Sequence, residues 1–293
     1  MTRPTPLALA LPALLAGATA IALAPIFVRL SETGPVSTAF YRLFLSLPPL
    51  WLAVTLFDRA IGTRRVASRM PWLALSGFCF AADLATWHWS IVLTSVSSAT
   101  LFANFAPIWV TLGAWLFLGE RIAGGFIAGL VIALSGAALV MGVSMGVGNQ
   151  LAGDSLAMVA GVFYGGYLLL TKFTRAQLST ATVMFYSAVA SAACLLPAAW
   201  LSEGVTWPAS LDGWLVLVAL ALVSHVGGQG LIAFSLAHLP VAFSSVALLF
   251  QPVLATAFAW WLLAEPIGWW QGVGGIVVLA GIAIAHRYSV GRS

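Results

Sequence analysis

Residues 105–136 read FAPIWVTLGAWLFLGERIAGGFIAGLVIALSG, and residues 250–281 read FQPVLATAFAWWLLAEPIGWWQGVGGIVVLAG. Laid over one another without a gap, at an offset of 145 (250 less 105), they agree at chemically unlike positions. Phe105, Pro107, Thr111, Trp115, Leu118, Glu120, Ile122, Gly129, Leu134 and Gly136 fall on Phe250, Pro252, Thr256, Trp260, Leu263, Glu265, Ile267, Gly274, Leu279 and Gly281. Two apolar stretches share leucines by chance. They do not by chance share a proline, a tryptophan, a glutamate and two glycines in register. A fixed internal period marks a repeat, and the repeat decides how the rest of the chain is divided.

Outward from that stretch the chain is almost wholly apolar: 61% hydrophobic and 7% charged over 293 residues. A water-soluble domain carries roughly a quarter charged residues. So few charges cannot cover a water-facing surface, and most of the surface is expected to face lipid. A ruler of about 20 apolar residues marks ten spans: 7–28, 36–57, 72–93, 97–118, 124–145, 155–172, 181–201, 213–237, 242–263 and 269–285. Five fall in residues 1–148 and five in residues 149–293. Five is odd, so the second copy enters the membrane upside down. The reading is an all-α membrane protein of ten transmembrane helices in two inverted five-helix repeats. The N-terminal run from Leu7 to Val28 outlasts a secretory leader's apolar core and is needed by the repeat, so it is read as a span.

Orientation follows from the basic residues of the short loops. With a cytoplasmic N-terminus, Arg3, Arg59, Arg64, Arg65, Arg69, Arg121, Lys172, Arg175, Arg287 and Arg292 all lie inside and only Arg29 outside. Both termini are therefore expected in the cytoplasm of a bacterial-type inner (plasma) membrane. The net charge of +4 sits in these loops rather than on one face, so it is no signal for nucleic acid. Cys79 and Cys194 lie in apolar runs and read as packing residues.

The pattern Pro107…Leu118-Gly119-Glu120…Gly129…Gly136, repeated as Pro252…Leu263-Ala264-Glu265…Gly274…Gly281, resembles the EamA domain. Its tandem form belongs to the drug/metabolite transporter superfamily, and the resemblance runs over essentially the whole chain. An acid in helix three, Asp83, and Asn104 ahead of Pro107 are similar to the YddG-type amino-acid exporters. The resemblance implies export of small metabolites, amino acids first and amphipathic cations second.

Polar residues inside a membrane are costly and usually face the bundle interior or water. Helical spacing aligns Ser76, Asp83, Thr86, Trp87, Ser90 and Thr94 on helix three. It does the same for Ser97, Thr100, Asn104, Pro107, Thr111 and Trp115 on helix four. Tyr164, Tyr167 and Thr171 mark helix six; His225, Gly228, Gln229 and Ile232 helix eight; Ser244 and Gln251 helix nine. The economical reading is a shared central cavity, against hydrogen-bond glue worth on average about 0.6 kcal/mol per contact. Its expected substrate contacts are Asp83, Trp87, Ser90, Asn104, Thr111, Tyr164, Tyr167, His225, Gln229, Ser244 and Gln251. Asp83 is read either as a proton carrier and counter-charge for an amine, or as the partner of Arg42. Pro107 and Pro252 are expected to break their helices at equivalent depths, the signature of a transporter binding site. Gly125 with Gly129, and Gly268 with Gly272, with Gly136 and Gly281 further along, read as close helix packing. Glu120 and Glu265 read as turn contacts.

No GxxxxGK[ST] loop, HExxH, GxSxG or ligand cluster occurs in the sequence, so no catalytic residue, metal or cofactor is expected. The partners expected are membrane lipids and one small-molecule substrate, with a single chain as the working unit. Alternating access of two repeats is the leading reading. A membrane enzyme acting on a lipid-linked substrate through Asp83 and His225, and a channel, stay open beside it.

Overall fold

The computed structural model describes residues 6–58, 63–94, 96–141, 151–264 and 267–289, and every regular element among them is helical. Arg3, Arg59, Arg292, Glu265 and the boundary at 148/149 lie outside the described residues, as does the side chain of Ser97.

The helical stretches are α1 (Pro6–Ala22 continued by Ala24–Leu30), α2 (Pro35–Phe44, Leu47–Phe57), α3 (Thr63–Leu93), α4 (Val96–Ala103, Ala106–Leu118) and α5 (Gly124–Val140). They continue with α6 (Leu151–Arg175), α7 (Thr180–Ser202), α8 (Leu211–Ala219, Leu220–Gln229, Gly230–Leu236), α9 (Val241–Ala247, Phe250–Leu263) and α10 (Trp269–Ser289). Eight of them, all but α3 and α5, are long and apolar enough to cross a membrane. α5 is apolar but only 17 residues long. α3 runs for 31 residues and carries Arg64, Arg65, Arg69 and Asp83 along it. It starts nine residues before the expected Trp72 because a hydropathy ruler is blind to helix that continues into water. There Arg69 Nε donates to Gln177 Oε1 at 3.0 Å, with its guanidinium 4.9 Å from the Phe173 ring.

Four helices are interrupted: α1 at Leu23, α2 at Leu45–Ser46, α4 at Asn104–Phe105 and α9 at Leu248–Leu249. Each interruption lies just ahead of a proline: Pro25, Pro48, Pro107 and Pro252. Proline has no N–H to give the carbonyl four residues earlier, and its ring crowds that carbonyl. The chain therefore stops and restarts, with proline in the first turn of the new segment, where a missing N–H costs nothing. Pro107 and Pro252 thus begin half-helices rather than kink whole ones.

The chain divides into two compact units, Met1–Ala85 with Leu170–His238, and Thr86–Leu169 with Leu239–Ser293. In the first, α1 lies along α8. Gly17 meets Gly228 so closely that a Cβ on Gly17 would stand 2.8 Å from the Gly228 carbonyl. Ser224 and Ser235 donate to the α1 carbonyls of Ala20 and Ala10 at 3.1 and 2.8 Å. Gly228 and the buried Ile232 are therefore packing residues against α1, not lining. Across α3 and α7, Ser191 donates to the Gly77 carbonyl at 2.8 Å.

In the second unit α5 and α10 cross antiparallel on four glycines. A Cβ on Gly136 would come 2.8 Å from the Gly274 carbonyl, and one on Gly274 2.8 Å from the Gly136 carbonyl. Gly129 and Gly281 face each other in the same way, at 2.8 and 2.7 Å. The glycines that pack are seven residues apart, two helical turns. Of those expected from four-residue spacing, Gly129 joins the crossing and Gly125 meets the Tyr288 ring of α10, whereas Gly272 meets nothing within 4 Å. α4 and α9 each end in a left-handed residue, Gly119 (φ 68°) and Ala264 (φ 54°).

The carboxylates of the loops cap helices other than their own. Glu203 accepts from Ser37 N at 2.7 Å at the start of α2. Glu32 accepts from Ala209 N (2.8 Å), Ser210 N (3.0 Å) and the Ser210 hydroxyl ahead of α8. The Ser210 hydroxyl and amide hold the exposed Glu32 below the ordinary carboxylate range. Asp58 accepts from the Ser179 and Thr182 hydroxyls at the start of α7. In the second unit Glu120 accepts from Val241 N (2.8 Å) and Ala242 N (3.2 Å), the first amides of α9. A carboxylate at a helix start satisfies orphan donors and complements the dipole. Glu120→Ala should lower unfolding stability in detergent by about 2 kcal/mol, and Glu120→Gln by about half of that. Unchanged denaturation midpoints in both variants would show that the contact is incidental.

Candidate functional site

The first unit gathers a charged cluster around one aromatic ring, that of Phe80. The first half of α2 is buried at every position from Val36 to Leu43, the polar Ser37, Thr38 and Arg42 included. It ends at the break that Pro48 and Pro49 impose, and Arg42 stands in its last turn, 7% exposed. A cation there is favoured by the helix dipole. The Arg42 guanidinium lies 5.8 Å from the centre of the Phe80 ring, within cation–π range. The His225 ring stacks against the same Phe80 at 5.7 Å and 24°.

Asp83 follows Phe80 by three residues on α3, on the same helical face. It interacts electrostatically with Arg42, as does His225. Arg42, His225 (1% exposed) and Gln229 (2%) are buried, whereas Asp83 is half-buried and keeps an open side. Neither ring nitrogen of His225 has a hydrogen-bond partner, and neither does Gln229 Oε1. Each such buried group costs about 1–3 kcal/mol when left unsatisfied.

His225 and Gln229 sit in a segment that no sequence pattern marks. Residues Leu220–Gln229 form π-helix, with i→i+5 hydrogen bonds, in the middle of α8. π-turns are rare, are less stable than α-helix and recur at functional sites. Gly227 and Gly228 fall inside this one.

The other expected site residues lie in the second unit. Ser90 donates to the Trp87 carbonyl at 2.6 Å, Asn104 Nδ2 to the Thr100 carbonyl at 2.8 Å and Ser244 to the Pro240 carbonyl at 2.9 Å. The two hydroxyl donors and one of the two Asn104 amide hydrogens are spent on their own helices. Thr111 Oγ1 and Gln251 Nε2 are buried without partners. The Tyr164 and Tyr167 rings stack at 6.1 Å and 25°. α6 approaches the α4 break through Gly161, where a Cβ would stand 2.9 Å from the Ala103 carbonyl. That carbonyl is the one Pro107 cannot serve. A cavity of about 380 Å³ in this unit lies among Glu120, Arg121, Phe126, Phe243 and Tyr288, and none of the expected residues lines it. Among the described residues no cluster could hold a metal ion.

Phe80 was not foreseen as the centre of a site. The available signal was its three-residue spacing from Asp83, which places an apolar platform beside the one acid of the span.

Two copies of the EamA-like transporter family match the chain, over residues 8–142 and 151–286. A protein of Streptantibioticus cattleyicolor named "Probable terminal-alkyne amino-acid exporter" is 30% identical over 245 residues, covering 82% of each chain. The "Pseudopaline exporter CntI" of Pseudomonas aeruginosa is 24% identical over 80% of this chain and 82% of its own. A protein of known crystal structure superimposes with a TM-score of 0.81 at 20% identity, over 97% of this chain and 98% of its own, which speaks to the fold alone. The matched residues and the apolar helices make this a multi-pass inner-membrane transporter of small metabolites and not an enzyme. The chain belongs to the EamA-like transporter family, as a tandem member of the drug/metabolite transporter superfamily.

Proposed function

We propose that the protein exports small metabolites, amino acids foremost, by alternating access through a central cavity. The observation that carries this reading is the placement of the buried Arg42 and His225 on the Phe80 ring, with the half-buried Asp83 one turn along α3 and the buried Gln229 one turn along α8. Opposite charges inside a membrane helix bundle are expensive, and function is the usual reason they persist. A site offering both signs suits a substrate that carries both. The names of the similar amino-acid exporter and pseudopaline exporter support the export direction and the amino-acid class.

The architecture proposed with it has ten spans in two inverted repeats, 1–148 and 149–293, with both termini cytoplasmic. The glycine crossing supports it. The 145-residue offset carries Gly129 to Gly274 and Gly136 to Gly281, so it turns the Gly129–Gly281 contact into the Gly136–Gly274 contact. A two-fold relation has that property. The left-handed ends at 119 and 264 obey the same offset. Inverted halves of near-equal energy are what alternating access requires.

The test of function is counterflow in proteoliposomes across a panel of labelled amino acids. At least one should accumulate against its gradient when the vesicle is preloaded with unlabelled amino acid. Absence of exchange for the whole panel by well-folded protein would end the amino-acid reading. Sidedness is read by single cysteines at Arg64 and Ala209, both exposed, in a Cys79→Ala/Cys194→Ala background. Impermeant reagent should label Ala209→Cys in intact cells and Arg64→Cys only after disruption; the reverse pattern inverts the proposed topology.

A further inference from the structure

We propose that Arg42 and Asp83 act together as a zwitterion clamp, Arg42 taking the carboxylate and Asp83 the ammonium of one substrate molecule. The inference rests on the transporter reading above and deepens it, because it names the chemistry that the site selects.

The argument is one of charge conservation in a low-dielectric interior. Arg42 and Asp83 already act on one another, so the cluster's two formal charges sum to zero. An α-amino acid also sums to zero, with its charges a few ångströms apart. Its entry exchanges one internal attraction for two intermolecular ones and leaves no net charge behind. A ligand with only one of the two groups leaves a desolvated partner unmatched, which is the costly case for buried charges.

The remaining groups fit the same ligand. Phe80 holds the guanidinium and the imidazole on its ring at 5.8 and 5.7 Å, which fixes both donors before substrate arrives. His225 has a ring N–H with no acceptor, matching a carboxylate oxygen; Gln229 Oε1 has no donor, matching an ammonium proton. Four residues apart in the π-turn, His225 and Gln229 lie on neighbouring positions of one helix face. α1 carries no charge besides Arg29 at its far end, and α7 carries none. The other charges of α3 and α8 stand at the starts of those helices: Arg64, Arg65 and Arg69 on α3 and Asp212 on α8.

The experiment uses the wild-type protein in proteoliposomes and the labelled amino acid that gives the strongest counterflow. Unlabelled competitors are that amino acid, its methyl ester, its N-acetyl derivative and its decarboxylated amine. The clamp requires the parent to compete at least about 100-fold better than any of the three, the discrimination of a site built around a polar group that the analogue lacks. Each single variant should relax against its own analogue. Asp83→Asn should bring the N-acetyl derivative to within a few-fold of the parent, and Arg42→Gln should do so for the ester. A merely structural pair would weaken all ligands alike. The same panel read as ligand-induced thermal stabilisation of detergent-solubilised wild type covers the case in which a variant fails to fold. Analogues that compete or stabilise as well as the parent would overturn the clamp while leaving amino-acid export standing. No exchange of any amino acid would overturn the export reading and the clamp with it.

Discussion

Gly281→Leu should leave little folded protein, with a loss of more than about 3 kcal/mol against a total stability on the order of 5–15 kcal/mol. A Cβ on Gly281 would meet the Ala133 backbone nitrogen, with the Ala133 Cα and the Gly129 carbonyl both 2.7 Å away. None of these is the end of a flexible side chain, so the only relief is separation of α10 from α5. Separation strips the dispersion contacts that hold helices together in lipid, where no hydrophobic term between helices replaces them. The cost then spreads along the crossing to Gly136 and Gly274, whose carbonyls stand equally close. Gly272→Leu is the control: it lies on the same helix, with nothing within 4 Å, and should melt within a degree or two of wild type. Fluorescence-detected size exclusion and thermal midpoints in detergent read both. A Gly281→Leu protein as stable as the Gly272→Leu control would mean that α5 and α10 do not cross as described.

That comparison also shows how far the sequence reaches. Helix existence was legible wherever about 20 apolar residues ran together, because lipid forces the backbone to satisfy itself. The breaks of α4 and α9 were legible too, since proline's missing N–H acts locally. The glycines were legible as close-packing residues, Gly129, Gly136 and Gly281 among them, but not in their pairing: the crossing joins Gly129 to Gly281 and Gly136 to Gly274, while Gly272 meets nothing within 4 Å. Partners set by tertiary geometry were out of reach. Glu32 and Ser210 are 178 residues apart, and nothing local in either announces the cap. The polar stripes held information of mixed kind. Ser90, Asn104 and Ser244 serve their own helices, as isolated polar residues in a membrane often do. Asp83, His225 and Gln229 join Arg42 around a phenylalanine that no polar pattern could flag. The π-turn of α8 was illegible because its i→i+5 bonding carries no distinct apolar period over ten residues. The compact units, each drawing on both halves of the sequence, could not be read from an internal repeat at all.

The charged pair itself should answer asymmetrically to removal of either partner. Asp83→Asn leaves Arg42, 7% exposed, with an amide in place of its anion. A guanidinium cannot shed its proton in a protein, so the charge stays, and removing its partner should cost about 3 kcal/mol or more. The Phe80 ring 5.8 Å away offsets only part of that. Arg42→Gln leaves instead a carboxyl, which can be neutralised by taking up a proton, in a half-buried position. That loss should be smaller, about 1–2 kcal/mol. The double variant Asp83→Asn/Arg42→Gln places two neutral amides where the charges stood and should recover most of the difference, because no buried charge remains to be matched. The coupling, read from thermal or denaturant midpoints of all four proteins, should therefore exceed about 1.5 kcal/mol and favour the matched pairs. Additive losses would show that Arg42 and Asp83 do not stabilise each other, and that each is held by its own surroundings.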